Sequence, residues 1–591
     1  MAGKHLNLLK TLPQASISVK RYKRLLHTRI PITRWLPLYT LPTLLQDLLA
    51  GITVGMTEIP QGIAYAIVAG LPPEYGLYSG LIDGFVYAVF GGCKDLNIGP
   101  TSILSLMLQP HVAKMGPDAS ILMTFISGIM IFCLGVMHLG FVIQFFSYPI
   151  IAGFICGGSF QIASSQLKSL FGIPGKNGNF LESWKSVFEN FSQVRKWDTV
   201  LGVTSIVALV ALKEIRVFGS LQSRPDWTPR RNFLGKLIFL LSLGRNALIV
   251  IIGTLISYYL YEQKPFKITG NVSGGFPPFR PPPFSTNFTG TESTFTAMVQ
   301  GYGVSLIFIP LLSILEAVSI AKAFSKGRKL DATQEMLALG LCNTFGSFFG
   351  SMPVTGSFTR SAVNNASGVR TPLAGIFTSL LLLVAIAFLT PTFYYVPKAT
   401  LASVIIAAMF YLFDFGAFAL LWRTKKLDLV PFLATFLCSL LLGVDYGILI
   451  GASINLLFVL YASARPKFTI TEEKVLNDGS KIFVIMPRDT LFFPAAEFLR
   501  DTVLECDGSD VTVIINGKYI RNMDTTVAKS ISVLAHELSL RKHKVMFVNF
   551  KESVMKICIG VDKKLENFFF SEEYYNSVTK ETSHELDSSR L

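Results

Sequence analysis

The sharpest chemistry in this chain sits where charge is least expected. Arg360 lies inside PVTGSFTRSAVNNAS (353–367), a segment rich in Gly, Ser and Thr that stands among long apolar runs. A guanidinium at membrane depth is costly and marks function, and its planar fork suits oxyanions. A structural salt bridge or a side chain snorkelling to the interface are the other readings of the same residue. Thr359 precedes it, and Thr101 and Ser102 occupy a similar segment, NIGPTSILSLMLQ (97–109). Glu316 sits mid-run in LLSILEAVSIAKAF (311–324), remote from either end. A carboxyl there could carry a proton with an anion, neutralise Arg360 when the site is empty, or simply bond a neighbouring backbone. Glu58 precedes Pro60, which is expected to break the first helix and turn the acid toward the same cavity. Asp83 also lies in an apolar run, as a candidate helix-packing partner, whereas Asp414, Asp428 and Asp445 fall at span ends.

These residues need elements that hold them at depth. Full membrane spans of about 20 apolar residues read near 118–138, 197–213, 247–262, 303–324, 372–392, 395–413, 427–443 and 446–463. Residues 48–70 and 76–92 form a pair split by Leu71-Pro72-Pro73, 141–171 is apolar but rich in Gly and Ser, and 335–350 is short. Segments 97–109 and 353–367 are too short and too polar to span alone. Counting them predicts a polytopic α-helical membrane protein of 14 segments, seven on each side of the loop at 263–302. Each short segment is third in its half, and matched interruptions point to an inverted repeat with a site between the halves. Each should begin extended and then start a helix, aiming unpaired N–H groups and partial positive charge at one midplane point suited to an anion.

Composition agrees. The 591 residues are 51% apolar and only 15% charged, against about 25% charged in soluble domains. The net charge of +15 could signal nucleic acid, but its distribution argues otherwise. Residues 464–591 hold 18 Lys+Arg and 19 Asp+Glu, whereas residues 1–463 hold 35 and 19. The soluble-looking end thus has no basic face, and no nucleic-acid partner is expected. Basic residues concentrate in the arm 1–46, in 214–246, in 322–329 and in 423–426. Both termini are therefore expected in the cytoplasm, with Lys176, Lys185, Arg195 and Lys196 in the outside loop 172–196 as a weaker fit. Sequons at Asn190, Asn271 and Asn287 then fall outside. The seven cysteines are odd in number and lack CxxC pairs, so neither disulfide framework nor metal site is expected. The polar arm predicts no cleaved leader. No P-loop, GxSxG or HExxH occurs, and neither enzyme activity nor a cofactor is expected.

The stretch IPQGIAYAIVAGLPPEYGLYSG (59–80) resembles the signature of the SulP sulfate permeases, multifunctional anion exchangers. The likeness continues through NIGPTSILSLM (97–107), LEAVSIAKAF (315–324) and DATQEMLALGLCNTFGSFFGSMPVTGSFTRSAVN (331–364). It implies a homodimer, through its membrane and C-terminal domains, of the seven-plus-seven fold shared with nucleobase transporters. In that fold a core domain moves against a gate domain like an elevator. It also implies a substrate site of Gln61, Tyr65, Thr101, Ser102, Thr359 and Arg360. Family members often carry an aromatic residue at the position of Thr101. Glu316 matches an eighth-segment acid linked to proton or sodium coupling, while Glu58 departs from the usual apolar residue. A protonatable Glu58 favours proton–anion symport over simple chloride-like selectivity.

Three regions follow: an arm at 1–46, a transport domain at 47–463 with repeats 47–262 and 303–463, and a C-terminal domain at 464–591. The last reads as α/β, with strands at 481–487, 511–517 and 544–550 and helices at 495–505 and 524–542, the latter capped by Asp524. Its order resembles a STAS domain. Thr525 and Thr526 stand where bacterial relatives carry a phosphorylatable Ser, though without the usual Gly, and His536 and His543 read as exposed helix residues. The expected function is secondary active transport of sulfate, with chloride, oxalate and bicarbonate as further candidates. It is expected to be sodium-independent and either proton-linked or exchanging, in the plasma or lysosomal membrane. An uncoupled chloride channel is the main alternative. A nucleobase carrier and a voltage-driven motor are weaker ones, the former because Arg360 stands where those carriers use a carboxylate.

Overall fold

The computed structural model describes residues 27–140, 147–174, 180–218, 241–272, 274–288, 291–325, 330–473, 481–488, 490–505 and 511–571. Much of the basic charge expected to orient the chain, including Lys20, Arg21, Arg230, Arg231, Lys326 and Arg328, lies outside the described residues. The chain forms two compact units, residues 1–452 and 453–591.

The first unit is helical. Its frame consists of α1 (Leu41–Ala69), α2 (Pro73–Leu81), α3 (Asp83–Phe90), a two-residue strand β1 (Ile98–Gly99), α4 (Ser102–Met115), α5 (Pro117–Val136), α6 (Tyr148–Ser165), α7 (Lys196–Phe218) and α8 (Arg245–Tyr259). After the loop and a small hairpin (Thr286–Phe288 with Thr291–Ser293) come α9 (Ser305–Phe324), α10 (Ala332–Ser347), a second two-residue strand β2 (Thr355–Gly356) and α11 (Phe358–Ala366). The unit continues with α12 (Ala374–Val384), α13 (Lys398–Leu412) and α14 (Leu429–Leu441), and ends within α15 (Val444–Ala464). Seven described helices are long and apolar enough to cross a membrane.

Helix α1 contradicts one expectation. It runs unbroken through Pro60 for 29 residues. Proline removes one backbone bond, but a helix shielded from water has no competing partner for the freed carbonyl, so the kink need not become a break. Glu58 is therefore aimed by helical rotation rather than by a broken turn, and Glu58, Gln61 and Tyr65 fall on one face of α1.

Packing divides this unit into two helix groups. In one, α10 lies against α5, and α12 lies against α1, α2 and α3. In the other, α14 lies against α6, and α13 lies against α7 and α6. The two short polar segments meet within the first group. β1 and β2 pair antiparallel, Ile98 opposite Gly356 and Gly99 opposite Thr355. Thus α4 and α11 leave the same ribbon in opposite directions. Asn343 clamps the ribbon, donating from Nδ2 to the Val354 carbonyl and accepting from the Val354 amide, both at 3.0 Å. The Thr355 hydroxyl donates to the Ser313 carbonyl of α9 at 2.6 Å.

The second unit carries a five-stranded sheet of β3 (Phe468–Glu473), β4 (Lys481–Pro487), β5 (Val511–Asn516), β6 (Lys544–Val548) and β7 (Phe569–Phe570), in that spatial order. β3 is antiparallel to β4, and the remaining pairs are parallel. Helices Ala496–Leu504, Thr525–Leu540 and Glu552–Val561 connect the strands, as parallel pairing requires. Every residue of β5 is buried, the pattern of a strand covered on both faces. Asp524 caps the second helix, accepting from the Val527 amide at 2.9 Å. β3 and β7 escaped the sequence reading because each is a polar or very short edge.

Candidate functional site

The ribbon brings the two polar segments onto one arginine. Arg360, in the first turn of α11, is 1% exposed. Its Nε donates to Asn97 Oδ1 at 2.6 Å, and its Nη1 donates to the Pro100 carbonyl at 2.9 Å. Glu58 Oε2 lies 3.9 Å from Arg360 Nε, and Asn97 Nδ2 reaches the same oxygen at 3.4 Å. Asn97 therefore bridges acid and cation. Its backbone is fixed too, because its amide donates to Ser361 Oγ at 3.0 Å and its carbonyl accepts from the Ser357 amide at 2.9 Å.

This arrangement corrects two expectations. Arg360 does not offer a free fork, since two of its edges are held by Asn97 and Pro100. Its carboxylate partner is Glu58, not Glu316. Glu316 lies instead beside the Thr101 hydroxyl. That contact falls short of hydrogen-bond geometry, leaving Thr101 Oγ1 and Glu316 Oε2 buried without a partner.

What remains unpaired defines the site. Arg360 Nη2, Glu58 Oε1, Gln61 Oε1, Thr101 Oγ1 and Glu316 Oε2 are all buried and partnerless. Buried polar atoms without partners are uncommon and call for an explanation. Two of them face one point: a Cβ added at Gly99 would contact Glu58 Oε1 and lie 2.8 Å from Arg360 Nη2. Glycine is required there so that the ribbon can pass this close to the ion pair. Tyr65 is buried beside Ser102, and Arg360 and Glu316 both act on it electrostatically. Ser102 Oγ also lies 3.7 Å from Met409 Sδ of α13. Thr359 Oγ1 stays close to the cap, 3.3 Å from Ser357 Oγ. All eight residues singled out on the first, third, eighth and tenth segments thus lie on α1, the two half-helices or α9, with Thr101 at the N-cap position of α4.

The helix ends contribute partial charge. Ser357 caps α11 by accepting from the Arg360 amide, whereas the Thr101 side chain does not cap α4. The N-terminus of α4, where a helix carries its free donor capacity, therefore begins next to the unpaired Thr101 hydroxyl. A guanidinium with one unpaired nitrogen, helix N-termini and the Thr101 hydroxyl can all donate to a small anion.

Gly99 was expected at the first half-helix terminus, whereas Asn97, the bridge between Glu58 and Arg360, was missed. The signal was available, because an Asn directly before a strand at membrane depth must find partners. Asp83 is not a bonded packing partner: it is fully buried and neither carboxyl oxygen has a partner. Asp414 caps the helix Phe415–Thr424, and Asp428 pairs with Lys425 at 3.4 Å. Asn271 and Asn287 are exposed, while the Asn190 amide donates to the Ser186 carbonyl at 2.9 Å. His536 is exposed, whereas His543 Nδ1 is buried without a partner. Among the described residues no group of three or more His, Cys, Asp or Glu could hold a metal ion.

Known proteins share this arrangement of sequence and fold. The family profile described as "Sulfate permease family" matches residues 44–435. The chain is 36% identical to the sodium-independent sulfate anion transporter of Bos taurus over 559 residues, covering 93% of this chain and 91% of that protein. Its fold is similar to murine solute carrier 26 family member A9, an anion transporter solved in the inward-facing state, with TM-score 0.79 at 21% identity over 93% of each chain. It is also similar to the transmembrane domain of the cyanobacterial bicarbonate transporter BicA, with TM-score 0.55 at 20% identity, covering 71% of this chain and 98% of that domain. The matched profile spans both half-helix segments and both acids, and on this evidence the chain belongs to the sulfate permease family, a family of multi-pass membrane transporters rather than enzymes.

Proposed function

We propose that the chain is a sodium-independent secondary active transporter that carries sulfate, with chloride, oxalate and bicarbonate as related cargo. The observation that carries this reading is Arg360, fully buried at the junction of two half-helices with one N–H edge unpaired. A tetrahedral oxyanion can accept from that edge, from Thr101 and from the α4 amides together. Gln61, Tyr65, Ser102 and Thr359 complete the proposed binding set. Without an anion, Glu58 neutralises Arg360. An arriving anion competes with Glu58 for the cation, and a proton on Glu58 removes that competition, which links proton and anion movement. Glu316, against Thr101, is the second proposed proton carrier.

The reading extends to architecture. The fourteen segments form two inverted repeats of seven. The helix group bearing the site acts as the core that moves against the second group, elevator-fashion. Residues 464–591 form a cytoplasmic STAS domain that takes part in homodimer formation. Both termini are cytoplasmic, with glycans at Asn190, Asn271 and Asn287 outside, in the plasma or lysosomal membrane.

The test is radiolabelled sulfate uptake into proteoliposomes, with and without an inward proton gradient. Wild type should show saturable, trans-stimulated uptake that the gradient increases, and Arg360→Ala should abolish it. Glu316→Gln should weaken the response to the gradient. Unchanged uptake in Arg360→Ala would sink the proposed site, and conductance without saturation or trans-stimulation would assign the chain to the channels.

A further inference from the structure

A narrow cavity lies among α2, α3, β1 and α12. Gly80, Asp83, Tyr87, Lys94, Asn97 and Ser379 contribute to its lining, and none of the proposed anion-binding residues does. Its free volume of about 10 Å³ holds about one water molecule.

Two lining residues connect this cavity to the ion pair. Asn97 donates to Glu58 Oε2 at 3.4 Å. Gly80 lets Glu58 Oε1 approach, since a Cβ added there would stand 2.5 Å from that oxygen. Glu58 Oε1 is the partnerless oxygen of the carboxyl. Three residues beyond Gly80, at the start of α3, stands Asp83, 0% exposed, with both oxygens partnerless. A bare buried carboxylate is very costly, and a proton resting on it removes that cost.

We propose that Asp83 is a proton-relay residue, exchanging a proton with Glu58 through the cavity that Gly80 and Asn97 line. This rests on the proton-linked reading above. A proton leaves the Asp83 carboxyl, crosses one water and adds to Glu58 Oε1. Asp83 becomes the carboxylate, Glu58 becomes neutral, and Arg360 is released to the anion. The groups facing Asp83 fit a proton better than a metal cation. Arg360 and Lys94 are positive, Tyr87 and the Cys342 thiol are neutral, and the thiol donates to the Asp83 backbone carbonyl at 3.7 Å. α12 supplies only hydroxyls, Thr378 and Ser379. Glu335 is already engaged by the Tyr87 hydroxyl at 2.7 Å and the Gly92 amide at 3.1 Å. Lys94, 37% exposed and paired with Asp95 at 3.0 Å, is the exposed titratable residue of the lining, and the proposed topology puts it on the cytoplasmic side.

The test compares full-length wild type, Asp83→Asn and Asp83→Glu in proteoliposomes, reading sulfate/sulfate exchange at equal pH and uptake driven by a pH gradient. A lumenal pH dye follows the protons. Asp83→Asn should exchange sulfate at the wild-type rate but lose the gradient's stimulation about tenfold, together with sulfate-dependent proton flux. Asp83→Glu should restore much of both. Gradient stimulation of wild-type size in Asp83→Asn overturns the relay alone, and so does equal loss of exchange and stimulation in both variants, which marks a packing role. Wild type that transports sulfate without any response to the gradient overturns the proton-linked reading and the relay with it.

Discussion

Asn97 and Arg360 are joined by a 2.6 Å hydrogen bond from Nε to Oδ1, while the amide nitrogen of the same Asn97 turns to Glu58 at 3.4 Å. One neutral side chain thus holds an acid and a base in register. The ion-pair separation of 3.9 Å is close enough for attraction and loose enough for an anion to compete.

Asn97→Ala removes that bridge. Arg360 Nε is left buried without its acceptor, and a bond to a charged group contributes about 1.5–3 kcal/mol. Sulfate uptake should fall at least about tenfold, that is about 1.4 kcal/mol. Initial-rate uptake at fixed surface expression measures this, and wild-type rates in Asn97→Ala contradict the bridging role.

The Glu58–Arg360 pair predicts a double-mutant cycle. Arg360→Met leaves Glu58 buried without its counter-ion, a loss of about 3–5 kcal/mol for a broken buried pair. Glu58→Gln combined with Arg360→Met should recover part of the lost melting temperature in detergent, though not transport. Additive losses in the double variant would show that the two residues do not interact.

Gly99→Ala places a methyl group against Glu58 and 2.8 Å from Arg360 Nη2. Overpacking of this kind costs about 1–3 kcal/mol. Both melting temperature and sulfate affinity should drop, and a variant with intact affinity argues against the close approach of ribbon and ion pair.

Thr101→Val separates binding from folding. The Thr101 hydroxyl has no partner, so removing it should leave stability within about 0.5 kcal/mol. If the hydroxyl meets the anion, KM for sulfate should rise several-fold. An unchanged KM removes Thr101 from the binding set.

Topology is checked at the sequons. Asn271 and Asn287 are exposed, and Asn271→Gln and Asn287→Gln should each remove one glycosidase-sensitive mobility step on gels. Acceptor sites engineered into the stretch 423–426, by contrast, should stay unmodified.

The amino-acid sequence by itself determined the spans and the two interrupted segments. Hydropathy, glycine content and proline position act locally, and those local signals matched helices α5, α7 and α9 and the ribbon-plus-helix form of both polar segments. The sequence also singled out Arg360, because a cation in an apolar run carries its own energetic argument. Its partner was another matter. Glu58 and Glu316 were both acids in apolar runs, and only the rotation of α1 through an unbroken Pro60 brought Glu58, rather than Glu316, to the guanidinium. Asn97 became the bridge because the β1–β2 register brings it beside Ser357 and Ser361. The cavity before Asp83 exists because Gly80, Asn97 and α12 converge there. Such relationships depend on how distant helices turn and approach, which no local pattern encodes, so tertiary packing alone decided which acid meets the arginine.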